Sequence, residues 1–141
     1  MKKKPLLLIS LITILLLLCS GCNTDNASNK EAIDSSPRAL QTFYPGDITK
    51  VDAIKIVSGS DGIPKTISDP TQIKNWIEHI RHLTVVPDIN PQDSSGVLFH
   101  VTLLEQKQEK LNVTPTNIDH TPIRPNTQLA ELMKELYGNA D

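Results

Sequence analysis

Val97-Leu98-Phe99-His100-Val101-Thr102-Leu103-Leu104 reads as a strand whose two sets of alternate positions have different chemistry. Successive side chains in a strand point to opposite faces, so Val97, Phe99, Val101 and Leu103 face one way and Leu98, His100, Thr102 and Leu104 the other. The first set is wholly apolar and the second is half apolar, which places the strand centrally in a sheet with one face on a core. Upstream, Val51 to Val57 alternates with Ile54 and Ile56 on one face, and Ser58-Gly59-Ser60-Asp61-Gly62 reads as a hairpin turn in which Asp61-Gly62 suits positive φ. Ile63 to Ser68 then returns antiparallel, at a sheet edge because of Pro64. Downstream, Glu105 to Glu109 turns the chain and Lys110 to Thr114 pairs back. Asn117 to Ile123, interrupted by proline, adds a short irregular edge strand.

Two helices complete the pattern. Asp69-Pro70-Thr71-Gln72 supplies an N-cap, proline at the first helical position and Gln three residues after the cap. Ile73, Trp76, Ile77 and Ile80 follow at the spacing of one helical face, with Arg81 and His82 in the last turn, where positive charge answers the exposed carbonyls. The second helix is capped by Asn126 or Thr127, carries Leu129, Leu132, Met133, Leu136 and Tyr137 on one face, and ends at Gly138 as a left-handed residue. The expected fold is α+β: an antiparallel sheet of four or five strands with two helices packed on one face, over residues 51–138.

The N-terminus points to a location. Lys2-Lys3-Lys4 precede an apolar run from Pro5 to Leu18 that is shorter than the about 20 residues a spanning helix needs. Small Ser20 and Gly21 stand before Cys22, as a signal peptidase requires. This stretch resembles the lipobox of bacterial lipoproteins, with Cys19 where that motif usually has Leu. The resemblance implies a signal peptide over residues 1–21, a diacylglyceryl group on Cys22, and attachment to the outer face of the cell membrane. Two acyl chains are enough for stable anchoring where one is marginal. The layout as a whole resembles the small single-domain lipoproteins of uncharacterised function in Bacillus-like Gram-positive bacteria, and that likeness carries no functional residues.

Residues 22–50 read as the lipidated cysteine and a flexible tether: Asn23 to Pro37 is too polar to bury a face. Phe43 and Tyr44 are exceptional in a tether, and the expectation is that they dock on the domain. Loss of the three signal lysines leaves an acidic chain, a poor binder of nucleic acid. Removal of Cys19 and acylation of Cys22 leave no thiol for a disulfide or a cysteine-based zinc site, and the Cys19-Ser20-Gly21-Cys22 spacing falls across a cleavage site instead of inside a folded redox domain.

Several constellations have plainer roles beside the chemistry that their spacing suggests. His79 and His82, with His100 and His120, have spacing that a metal can use, but no HExxH-type motif surrounds them. Asp88, Asn90 and Asp93 offer oxygen ligands in the Thr84–Ser95 loop without the glycine and terminal glutamate of a calcium loop. Gly59-Ser60-Asp61-Gly62 lacks one residue of a nucleophile elbow and precedes a strand, not a helix. No catalytic residue, cofactor or metal is therefore assigned. The remaining feature is the second face of the central strand, where Leu98, His100, Thr102 and Leu104 form the candidate interaction surface unless Phe43, Tyr44 or the Thr84–Ser95 loop covers them. The leading expectation is a non-enzymatic interaction module held at the membrane by Cys22 and binding a membrane or envelope protein. The alternative is a receptor for a small envelope ligand or metal ion, which requires a pocket. An envelope enzyme, which needs titratable groups converging in a cleft, comes third.

Overall fold

A computed structural model of the chain describes residues 34–92, 96 and 98–140. The expected signal peptide, Cys22, the expected tether up to residue 33 and Asp93 of the oxygen-ligand set lie outside the described residues.

The fold is α+β, built on an antiparallel sheet. Strands β2 (Ala53–Ser58), β3 (Pro64–Ile67), β5 (Phe99–Glu105) and β6 (Gln108–Thr114) form its body, and two-residue strands β7 (Asn117–Ile118) and β8 (Thr121–Pro122) extend it. The order is β3-β2-β5-β6-β7-β8, six strands in place of the four or five expected, with β5 interior and β3 at one edge. A separate pair joins β1 (Arg38–Ala39) to β4 (Thr84–Val85). Beyond β4 the chain runs beside the segment after β8, through a bridge between Pro87 and Ile123 and the bonds Asp88 N–H to Pro122 O (2.8 Å) and Arg124 N–H to Val86 O (2.8 Å).

Register explains the core. Ile54 pairs with Leu103, Ile56 with Val101, Leu103 with Leu111 and Val101 with Val113, so one face of three adjacent strands is aliphatic throughout. Helices α1 (Pro70–Arg81) and α2 (Thr127–Gly138) supply Ile73, Trp76, Ile77, Ile80, Leu129, Met133 and Leu136 to the same cluster. Their starts follow the expected chemistry: Asp69 accepts from Gln72 N–H at 2.7 Å and Asn126 Oδ1 from Leu129 N–H at 2.9 Å.

Three details differ from the sequence reading. Arg38 to Lys50 is part of the folded body and not tether. Leu40, Tyr44 and Ile48 are buried, carried in on β1 and two 3-10 turns (Leu40–Phe43 and Ile48–Lys50), because these apolar side chains close the core beside α1. Phe43 and Tyr44 dock as expected, Tyr44 as a buried member of the core and Phe43 half-buried against it. Gly138 is the last residue of α2 and not a left-handed terminator; the C-cap is Asn139 at φ −97°, ψ 0°. The terminal carbonyls already have partners, since Lys65 Nζ donates to Tyr137 O and Ala140 O and Gln72 Nε2 donates to Asn139 O, while Ala140 is buried. The turn after β5 is also tighter than expected: Glu105 pairs with Gln108, leaving only Gln106 and Lys107, at φ 53° and 64°, to reverse the chain.

Such a turn favours Asn-Gly, since left-handed backbone costs other residues roughly 1–2 kcal/mol each. Replacing Gln106-Lys107 by Asn-Gly should raise stability by about 1 kcal/mol in urea unfolding. The Gln106 N–H to Asp52 Oδ2 bond (2.8 Å) is made by the backbone and is kept in Asn-Gly, so an unchanged or lower midpoint would show that the Gln106 and Lys107 side chains themselves stabilise the turn.

Tyr44 gives the fold an alkaline limit. Its hydroxyl donates to Glu105 Oε2 at 3.0 Å, and burial first, then the Glu105 hydrogen bond and charge, raise its pKa above the ordinary tyrosine value. Because the folded-state pKa is the higher one, this stabilisation is complete below about pH 10 and is lost as pH rises above it. Stability measured from pH 9 upwards should fall more steeply in the native chain than in Tyr44→Phe; equal slopes would refute the link.

Candidate functional site

The second face of the sheet is open and more polar than expected. Lys55 of β2 pairs with Thr66 of β3 on one side and Thr102 of β5 on the other, and Thr102 pairs with Asn112 of β6. All four therefore project from the same face in one cross-strand row, opposite Ile54, Leu103 and Leu111. Lys55, Thr66 and His100 are exposed. Thr102 is only 7 % exposed although it lies on this face, because its neighbours close over it.

Hydrogen bonds order the centre of this row. Asn112 Oδ1 accepts from Thr102 Oγ1 at 2.9 Å and from His100 Nε2 at 3.1 Å, and Asn112 N–H donates to Asp119 Oδ1 at 2.8 Å. An oxygen acceptor requires the His100 hydrogen to be on Nε2, so the neutral ring presents Nδ1 as an acceptor. With Oδ1 satisfied twice, the Asn112 amide nitrogen keeps its two donors for another partner.

Of the four residues expected at this surface, the structure brings His100 and Thr102 together. Leu104 is half-buried at the shift in register between Leu103 and Leu104. Leu98 lies just before β5, 62 % exposed, its carbonyl accepting from Gly59 N–H at 2.7 Å. The expected cover does not lie here: Phe43 and Tyr44 pack with the core cluster, and the described part of the Thr84–Ser95 loop pairs with β1 and with residues 122–124. Lys55, Thr66 and Asn112 were missing from the sequence reading. Alternation in β2, β3 and β6 could have found them, because each occupies the parity opposite the core residues of its own strand.

The other constellations resolve into local structure. His79 Nδ1 lies 2.6 Å from Asn75 O, within one helical turn. Among the described residues no three of His, Cys, Asp or Glu assemble as metal ligands. Asp88 accepts from Asn90 N–H at 3.0 Å in a local turn. Ser60 lies in the β2–β3 turn with its hydroxyl 2.7 Å from that of Ser58, and Gly62 takes the positive φ of 68°. Next to that turn, Tyr137 O–H donates to Asp61 at 3.2 Å, packs 5.7 Å from the Phe99 ring and lies beneath Lys65 Nζ at 4.8 Å, which pins the end of α2 to the hairpin.

One groove stands apart from the open face. It encloses about 400 Å³ between the 3-10 turn at Ile48–Lys50 and α1, with Val51, Ile73 and Ile77 as an apolar floor and Asp52, Lys74 and Glu78 at the rim. Glu78 is paired with Arg81 at 2.8 Å. Among the described residues no helix is long and apolar enough to cross a membrane. No family model, curated protein or solved structure matches this chain.

Proposed function

We propose that this chain is an extracytoplasmic lipoprotein, held at the outer face of the cell membrane by acylated Cys22, that acts without catalysis by binding a membrane or envelope protein through the open face of its sheet. The observation that carries this reading is the polar row Thr66–Lys55–Thr102–Asn112 with His100, its centre ordered by hydrogen bonds, on a face that neither described helix covers. A sheet face needs no internal hydrogen-bonding side chains for stability when water is available, so a preoriented set there is suited to recognition. Charge and hydrogen bonding on such a surface select a partner more than they add raw affinity.

Photocross-linking in cells tests this. A photoreactive residue at Lys55 or His100 should give one dominant adduct, absent from an exposed helix position such as Lys134. Equal adducts from both faces would refute the assignment of the surface.

The groove of about 400 Å³ favours a second reading, a receptor for a small envelope ligand, because its size lies within the range of ligand sites and its floor is apolar. Saturable ligand-induced shifts of the Ile73 and Ile77 methyl signals, with none on the open face, would select it.

A further inference from the structure

The open face carries information about the partner's chemistry. Thr102 lies at its centre, with Lys55 directly across on β2, Asn112 directly across on β6 and His100 two residues away on the same strand. Lys55 and His100 are diagonal neighbours, about 7–8 Å apart at the backbone and within reach of one group above Thr102. Among the described residues Lys55 forms no ion pair, and the Asn112 amide nitrogen donates to no side chain. Of the carboxylates near the cluster, Asp119 accepts from Asn112 N–H through Oδ1 and Glu109 pairs across from Leu104 at the register shift, and among the described residues neither forms an ion pair with Lys55. Apolar side chains flank the donors, with Val57 and Leu104 half-buried and Leu98 exposed.

From this juxtaposition we infer that the open face binds an acidic segment of its protein partner, one carboxylate lying over Thr102 between Lys55 and the Asn112 amide, with apolar residues beside it against Val57 and Leu98. The inference rests on the interaction reading above and specifies its chemistry. A carboxylate matches the donors because Lys55 contributes charge, while the Asn112 amide fixes direction. Flanking apolar contact distinguishes a peptide from a phosphate-bearing polymer, which would gain nothing from Leu98 or Val57.

The test is an NMR titration of the isotope-labelled full chain in phosphatidylcholine nanodiscs. The probes are short synthetic peptides alternating Leu with Glu, Gln or Lys, together with glycerol phosphate. The Leu-Glu peptide should shift the Lys55, His100 and Asn112 side-chain signals saturably. Lys55→Glu, with its core signals unchanged, should weaken that binding about ten-fold. Equal response to the Gln or Lys peptide, an equal response to glycerol phosphate, or no saturable shift would each overturn the inference. If cross-links form from His100 while the Leu-Glu peptide leaves the signals unmoved, the partner surface survives and its acidic specificity falls. Absence of both results removes the surface itself.

Discussion

Leu40→Ala should lower the free energy of unfolding by about 3 kcal/mol, the usual cost of truncating a fully buried leucine. Leu40 has no exposed surface and is continuous with Ile48, Val51 and Val85 in the core, and its N–H donates to Leu83 O at 2.9 Å. The result separates two views of residues 38–50. A tether would tolerate the change within experimental error, whereas a segment that closes the core would not. Chemical unfolding can be followed through the fluorescence of the single tryptophan, Trp76, which is itself buried. A loss below about 0.5 kcal/mol, the range of surface substitutions, would show that this segment detaches without consequence.

Trp76→Ala should cost still more, about 4 kcal/mol. The indole is 6 % exposed, and its Nε1–H donates to Leu132 O at 3.2 Å, so one side chain on α1 both fills the interhelix space and engages α2. Its removal leaves a cavity that neighbouring Ile73, Ile77 and Leu136 cannot fill without moving the helices. Trp76→Phe keeps most of the volume and loses the hydrogen bond, so its cost should lie near 1–2 kcal/mol. Circular dichroism melting measures both variants. Equal losses for Ala and Phe would mean that the hydrogen bond, and not packing, joins the helices.

What the sequence revealed depended on whether the signal was local. Asp69-Pro70 and Asn126 carry their capping chemistry in adjacent residues, so both helices could be recognised without knowledge of the fold. Alternation in Val51 to Val57 and in the central strand likewise exposed the core face of the sheet. The role of Leu40 was hidden because its partners, Leu83 and Val85, lie more than forty residues away in the chain, and a polar stretch with a few apolar residues reads as tether until those partners are seen. The Gln106-Lys107 turn was hidden for another reason: neither residue carries the Gly or Asn signature of positive φ, and only pairing between Glu105 and Gln108 forces it. At the candidate site, His100 and Thr102 were legible from parity within one strand. Their relation to Lys55 and Asn112 depends on the register of three strands, which no single stretch encodes. The expected ending of α2 at Gly138 failed because Lys65 and Gln72, on other elements, satisfy the carbonyls that a left-handed glycine would otherwise serve.

The proposed recognition of an envelope partner presupposes a chain fixed outside the membrane, a role the proposal gives to acylated Cys22. Metabolic labelling with an alkyne fatty acid, combined with cell fractionation, tests it directly in the native chain and in Cys22→Ala. The native chain should incorporate the label and remain with the membrane, while Cys22→Ala should incorporate none and appear in the medium or as unprocessed precursor. Equal labelling and equal membrane retention of the two chains would contradict lipid anchoring at Cys22.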